Sequence, residues 1–401
     1  MVDFRPFQGL LPRLSKQEDI ADRVSPPYDI ISPEEQAKLQ SKPYNITKIT
    51  LGAVDGRYEQ AAKLLDSWIS AGKLEQDKEP CFYLYRQSFQ DDGKWLSRNG
   101  LVGILRAEGY DSGNVIPHEE TFPKVKEDRL SLLRGTATHC ESIFGLYDRS
   151  EVDLGEVAKG GQKLFECTDL SGTVHQLFRV SDRGTVNRLQ DMFAAKRILI
   201  ADGHHRYETA CKYAQENLLD ERKAYVLCTM VSSEDTGMFV RPTHRLVKNL
   251  RYQEKELRDK LAKHFAVRSV KGPGAVAAAL DAASAPTFGI ILSNGTCLVA
   301  EYTAPLGDIL WSVDTYVCQE VLLKEVLYSM PKGNELTMEY DHDLDSSARK
   351  VQRGEVDLAI IVRAPSLDMV WKVAQAGRKM PKKTTYFWPK IWSGFVLYRM
   401  K

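Results

Sequence analysis

No stretch of the chain stays apolar over the roughly 20 residues that a membrane-spanning helix needs. The opening residues, MVDFRPFQGLLPRL, lack the long apolar core of a secretory leader. Both absences lead us to expect a soluble protein of the cytoplasm that engages no membrane. The seven cysteines, Cys81, Cys140, Cys167, Cys211, Cys228, Cys297 and Cys318, are odd in number, scattered and without a C-x-x-C pair. Neither a disulfide framework nor a zinc ribbon is expected of them. Cys211 and Cys228 sit in apolar stretches and read as small buried hydrophobes. Charge of one sign is missing as well: 55 Lys and Arg face 54 Asp and Glu, leaving +1. No global field therefore draws nucleic acid or acidic lipid, although composition is blind to a local basic cleft. There is no G-x-x-x-x-G-K-[ST] loop and no G-x-G-x-x-G fingerprint, so a bound nucleotide would be held by neither a Walker loop nor a Rossmann turn. Internal repeats and low-complexity tracts are absent.

What remains is an ordinary globular composition, 43% apolar and 27% charged over 401 residues, enough for about two or three domains. Residues 1–79 form an N-terminal region rich in proline and turn signals. Pro26-Pro27 forces extended backbone. Ser32, followed by Pro33, Glu34 and Glu35, reads as an N-cap opening a helix that runs to about Ser41. A second helix is expected over Tyr58–Ser70, with Ala61, Ala62, Leu65 and Ile69 on one face.

Residues 80–249 read as a mixed α/β core. CFYLYRQSF and GLVGILRAEGY flank Asp92-Gly93 as a hairpin. Strand-like pieces recur at VIPHEE, SIFGLYD, HQLFRVS, RILIA and AYVLCTMVS, with helices at Asp128–Arg134, Val186–Phe193 and Tyr207–Leu218. Residues 250–401 read as a C-terminal α/β domain. It holds a charged helix over Tyr252–His264, a small-residue helix at KGPGAVAAALDAASAP and a hairpin around Asn294-Gly295. Helices near Thr315–Tyr328, Leu344–Gly354 and Leu367–Gly377 follow, with a strand at DLAIIV and a basic, aromatic tail.

The segment RILIADGHHRYETA carries the sharpest chemical signal. Ile198, Leu199 and Ile200 form a short apolar strand, and Asp202-Gly203 turns the chain. Tyr207, Ala210, Cys211, Ala214 and Leu218 then repeat at helical spacing as a buried stripe. His204, His205 and Arg206 thus fall in the first turn of a helix leaving a strand end. First-turn N–H groups lack helical partners and the helix dipole adds positive potential. Gly203 lets a phosphate approach the backbone, and Arg206 with two imidazoles adds donors. Asp202 either caps the helix or holds a magnesium ion against phosphate oxygens. The plainer alternative, a capping aspartate with histidines bonded to local backbone, is outweighed by four polar residues around one glycine at such a turn.

A second box, IPHEETFPKVKEDRL, sets His118, Glu119 and Glu120 between Pro117 and Pro123, with Lys124, Lys126 and Arg129 following. A carboxylate beside cations suits a general base working next to a phosphate. Taken alone, the segment also fits a solvated charged loop, and it lacks the second histidine of a helical zinc-protease motif. Arg241, Thr243, His244 and Arg245 form a further polar cluster, which reads equally as pocket lining or as a salt-bridged loop. Lys382, Lys383, Tyr386 and Lys390 interleave with Phe387 and Trp388. Such a pattern can stack bases, but a C-terminal strand packing its aromatic face is the commoner explanation. Tyr28 and Asp29, stiffened by two prolines, are placed to close over the pocket.

RPFQGL near Arg5, SPPYDII at Ser25–Ile31, IPHEETFPKVKEDRL, ILIADGHHRYETA, RPTHRLV at Arg241–Val247 and MPKKTTYFWPK at Met380–Lys390 occur in order. Through them the chain resembles, nearly end to end, the prokaryotic family called domain of unknown function 1015. The core, about a third of the chain, more distantly resembles the free-serine kinases of the ParB/sulfiredoxin-like superfamily, which pair an HEE-type box with a DGHHR-type turn. That resemblance implies a ParB/sulfiredoxin-like α/β (α+β) core and an enzyme that moves phosphate from ATP or ADP, with Mg²⁺, to a small hydroxyl compound such as serine. It implies Glu119, or alternatively Glu120, as base, Asp202 as a catalytic metal or substrate ligand, and Gly203, His204, His205 and Arg206 as the phosphate grip. His118, Lys124, Arg129, His244 and Arg245 would add phosphate or nucleotide contacts. The longer spacing between the two boxes and the large terminal additions depart from the kinase pattern, and the serine-binding residues have no counterpart that can be placed. A non-catalytic ParB-like nucleotide and DNA clamp and a phosphoester hydrolase are the rival functions. The expected partners are a nucleotide and a small-molecule substrate rather than nucleic acid.

Overall fold

The computed structural model describes residues 1–52, 58–121 and 123–401, with the side chains of Pro123, Lys124 and Asn334 outside the described set. The chain is a mixed α/β protein of two compact units, each built from discontinuous segments. The first unit takes Met1–Pro117, Thr121–Met238 and Pro389–Lys401, and the second takes His118–Glu120 and Phe239–Trp388.

The first unit is organised around a nine-stranded sheet. Its order runs Val115–Ile116, Ile198–Asp202, Ile143–Tyr147, Tyr225–Ser232, Lys94–Arg106, Phe82–Asp91, Val174–Val180, Gln162–Thr168, with Phe4–Arg5 also paired to Lys94–Arg106. The central hairpin forms where expected: Asp91 pairs with Lys94, and both turn residues, Asp92 and Gly93, have positive φ, which matches the right-handed twist of the flanking strands. Ile143–Tyr147 and Tyr225–Ser232 are buried at every position. Such unbroken apolar runs belong to strands covered on both faces. Phe193 and Tyr207 pack into the core beside this sheet, Phe193 edge-on to Tyr147 at the end of its strand.

The helices follow their sequence signals closely. Ser32 caps Pro33–Gln40 by accepting the Glu35 N–H. Tyr58–Ser70 buries Ala61 and Leu65 together with Tyr58 and Trp68, the aromatics replacing Ala62 and Ile69 as its main contacts. Helix His204–Glu216 buries Tyr207, Ala210 and Tyr213. The expected stripe is therefore corrected at its far end: Leu218 lies beyond the helix and is 83% exposed.

The second unit contains a six-stranded sheet ordered Phe265–Val270, Cys297–Tyr302, Thr287–Leu292, Leu358–Ile361, His244–Leu250, Lys332–Asp341, antiparallel throughout. One face packs Leu257, Phe288, Leu322 and Ile360, and the other packs Val276, Leu280, Val351 and Ala359. The helix expected near Thr315–Tyr328 begins as α over Asp314–Val317 and widens to a π-helix over Cys318–Val326. No described helix is long and apolar enough to cross a membrane. All seven cysteines are free, with Cys228 buried and Cys211 half-buried.

Candidate functional site

The strand Ile198–Asp202 leaves the first unit's core with Ile198, Leu199 and Ile200 fully buried and delivers Asp202 to its end. Gly203 then adopts φ 90°, and helix His204–Glu216 begins at once, with no side chain capping it. Two constraints make this position a glycine. L-residues rarely adopt that φ, and a Cβ would lie only 3.0–3.1 Å from the Arg206 guanidinium, which folds back over the turn. The helix start thus keeps its first-turn amides clear of a side-chain cap, the condition under which a helix N-terminus receives an anion.

Asp202 does not cap the helix, contrary to one of its expected roles. Its Oδ1 accepts the N–H of Gly203 at 2.9 Å, and its Oδ2 accepts from Lys390 Nζ at 3.0 Å. Burial alone would raise this carboxyl, but Lys390, Arg206 and His204 together hold it far below the usual carboxylate range. Arg206 Nη1 donates to the carbonyl of Ser142 at 2.6 Å. Burial pulls its guanidinium pKa down, and the nearby carboxylates of Glu141, Asp202 and Asp29 more than offset this. His205 is lowered, first by burial and also by Lys126 and Arg206, against the opposite pull of Glu208 and Asp29.

Around this turn the same unit gathers groups that sequence reasoning missed or named for other reasons. Arg129, 7% exposed, donates to the Thr50 carbonyl at 3.0 Å, lies 3.8 Å from Glu141 and sits 4.3 Å over the ring of Tyr28. The Tyr28 N–H in turn donates to Glu141 Oε1 at 3.3 Å. Burial raises the Tyr28 phenol to about 12, and Arg206 acts against that rise. The SPPYD segment, expected from its stiffness to close over the pocket, places Tyr28 under Arg129 and Asp29 within the field of Arg206. Glu141 carried no signal, being a lone carboxylate between Cys140 and Ser142. Lys390 drew notice only as part of the basic tail.

The HEE box belongs to the second unit. Glu119 bridges Met380, and its Oε1 accepts the Lys383 N–H at 3.0 Å. His118 is fully buried, with Nε2 at 2.8 Å from Thr385 Oγ1 and its ring edge-on to Phe387, whereas Glu120 is exposed. The RPTHR and MPKKTTYFW segments meet in the same unit: Phe239–Arg241 pairs with Tyr386–Trp388, and Arg241 lies 3.8 Å over the Trp388 ring. Arg245 donates to the carbonyls of Thr243 and Lys383, and His244 Nδ1 accepts the Val362 N–H at 3.3 Å. Burial lowers His244 to about 4. The structure thus brings Asp202, Gly203, His204, His205, Arg206 and Arg129 into one unit, and His118, Glu119, Glu120, His244 and Arg245 into the other. The side chain of Lys124 lies outside the described residues. Among the described residues no group of three or more His, Cys, Asp or Glu is placed to hold a metal ion.

The family described as Protein of unknown function (DUF1015) matches residues 4–316. The chain belongs to the DUF1015 family. No curated protein matches it. Among solved structures, this DUF1015 protein is similar to a free serine kinase in complex with AMP, at 14% identity and TM-score 0.39, over 71% of this chain and 86% of the other. It is also similar to a conserved hypothetical protein from Pyrococcus furiosus, at 15% identity and TM-score 0.38, over 71% and 89%. SbnI from Staphylococcus aureus, C-terminally truncated, aligns at 11% identity and TM-score 0.37, over 73% and 85%.

Proposed function

We propose that this DUF1015 protein is a nucleotide-dependent phosphotransferase of the cytoplasm, moving a phosphoryl group from ATP or ADP to a small hydroxyl compound such as serine. The observation that carries the reading is the Gly203 turn, a left-handed glycine opening a helix without a side-chain cap, with Arg206 folded over it and Arg129 and Lys390 in the same unit. Backbone amides at a helix start and guanidinium forks are complementary to phosphate oxygens. In-line phosphoryl transfer needs little from a protein beyond such positioning and charge stabilisation.

Magnesium enters this reading as part of the nucleotide substrate. Asp202 is a single carboxylate already occupied by Lys390 and neighboured by Arg206. It does not fit a resident divalent ion, which prefers several oxygen ligands. Its role is to hold Lys390 and the turn in place. His204, His205 and Arg206 are the phosphate contacts. Glu119, with Glu120 as the alternative, is the proposed base on the strength of its box.

The test is incubation with ATP or ADP, magnesium and a panel of hydroxy compounds, followed by detection of phosphorylated product. Product that disappears in Arg206→Lys, with the fold intact, supports the reading. Phosphate release without any acceptor would instead mark a hydrolase, and nucleotide-dependent DNA binding without turnover would mark a clamp.

A further inference from the structure

A groove of about 480 Å³ opens in the first unit between helices Pro123–Thr136 and His204–Glu216 and the turn at Tyr110. Its floor is aromatic. Tyr110 stacks on Tyr207 with ring centroids 5.6 Å apart and planes inclined by 22°. The rings are fixed from below, because the Tyr207 hydroxyl donates to the Glu108 carbonyl at 2.9 Å. The walls carry charge of both signs. Glu208 accepts from Lys126 at 2.8 Å and from the Tyr110 hydroxyl at 3.4 Å, and Lys212 lies 3.5 Å from Glu127. Glu108 is different. Its carboxylate accepts from the Asn114 amide at 2.8 Å, and among the described residues no cation is paired with it. Three carboxylates against two ammonium groups leave this lining with one negative charge in excess.

From this arrangement we infer that the groove binds a small molecule bearing a primary ammonium group, held by Glu108 against the Tyr110 ring, with Lys212 receiving a carboxylate when the molecule has one. The chemistry is specific on two counts. An ammonium ion gains both from an unpaired carboxylate and from the face of a phenol ring. An anion without an ammonium group meets the excess negative charge and lacks the Glu108 contact that offsets drawing Lys212 away from Glu127. The volume suits a molecule of amino-acid to nucleoside size. Glu208 and Lys126 also act electrostatically on His205, which puts the groove beside the candidate phosphate grip. This inference deepens the phosphotransferase reading by naming the class of acceptor, and it rests on that reading only for the ligand's fate.

Binding is measured by titration calorimetry on the whole chain without nucleotide, so failure here is separate from failure of phosphoryl transfer. Three probes isolate the groups: ethanolamine, L-serine and D-glycerate. Ethanolamine and L-serine are expected to bind, and D-glycerate is not. Glu108→Gln should weaken both binders about tenfold, with the thermal midpoint unchanged. Lys212→Gln, on the exposed rim, should weaken L-serine and leave ethanolamine as it was. Binding of D-glycerate as tight as that of L-serine, indifference to Glu108→Gln, or no binding of any probe overturns the inference.

Discussion

Arg245 in the second unit and Arg206 in the first are held differently. In the second, Arg245 gives its hydrogens to the carbonyls of Thr243 and Lys383, and the neighbouring His244 receives a backbone N–H. In the first, Arg206 makes one bond to a carbonyl and is otherwise balanced by Glu141, Asp202 and Asp29, while Arg129 is balanced by Asp128 and Glu141. Backbone carbonyls cannot be exchanged for a ligand, but carboxylates that hold a guanidinium can give way to phosphate oxygens, which bond the same donors at least as well. The two arginines therefore differ in what can displace their partners: Arg245 locks a strand end, and Arg206, under the proposed function, exchanges carboxylates for an anion.

Arg206→Lys tests this difference most severely. A point charge replaces a planar fork, and phosphoryl transfer should fall about 10³-fold, read as kcat/KM, while the same change at Arg245 leaves transfer within a few-fold. Equal losses at both positions would erase the contrast. Glu119→Gln should lower turnover about 10²-fold with nucleotide affinity retained, measured by steady-state kinetics beside nucleotide titration. Full activity in that variant removes the base.

A third prediction uses one buried histidine from each unit. Burial lowers His139 in the first unit and His244 in the second, each from 6.5 to about 4. Below 6.5 the unfolded chain takes up protons that the folded chain refuses until about pH 4. Stability therefore falls as pH drops through that window, and each histidine contributes up to about 2–3 kcal/mol of the loss. His139→Gln and His244→Gln should each flatten the acid limb of a urea-unfolding series. Unchanged acid sensitivity in both variants would show that neither ring drives it. The smallest effect is expected from Gly203→Ala, about 1–3 kcal/mol of destabilisation from the disfavoured φ and the crowding of Arg206, read from the shift in urea midpoint.

How far these features were legible depends on the range over which their causes act. The Asp92-Gly93 hairpin, the Ser32 cap and the strand–Gly203–helix passage are local, and their residues announce them. The strands that escaped notice include Gln162–Thr168, Phe265–Val270 and Lys332–Asp341, which lie at sheet edges. Edge strands have one solvated side and carry charge that discourages further pairing, so they lose the apolar pattern that marks a strand. His244–Leu250 was hidden differently, by a polar start that looked like a loop. At the site, the residues of the Asp202 turn were legible because the turn is continuous. Glu141 beside two arginines, and Lys390 on Asp202 at a separation of 188 residues, depend on tertiary contacts that no local pattern encodes.

The pairing of Lys390 with Asp202 also sets an order of events during synthesis. Asp202 is made early, yet its counter-ion sits in Pro389–Lys401, which follows all of Phe239–Trp388 along the chain. While the ribosome is producing the intervening residues, the Asp202 carboxylate and the Arg206 turn have no lysine to settle against. The Asp202–Lys390 pair is therefore among the last contacts of the first unit to be completed, and a nascent chain can form it only once Phe239–Trp388 has been translated.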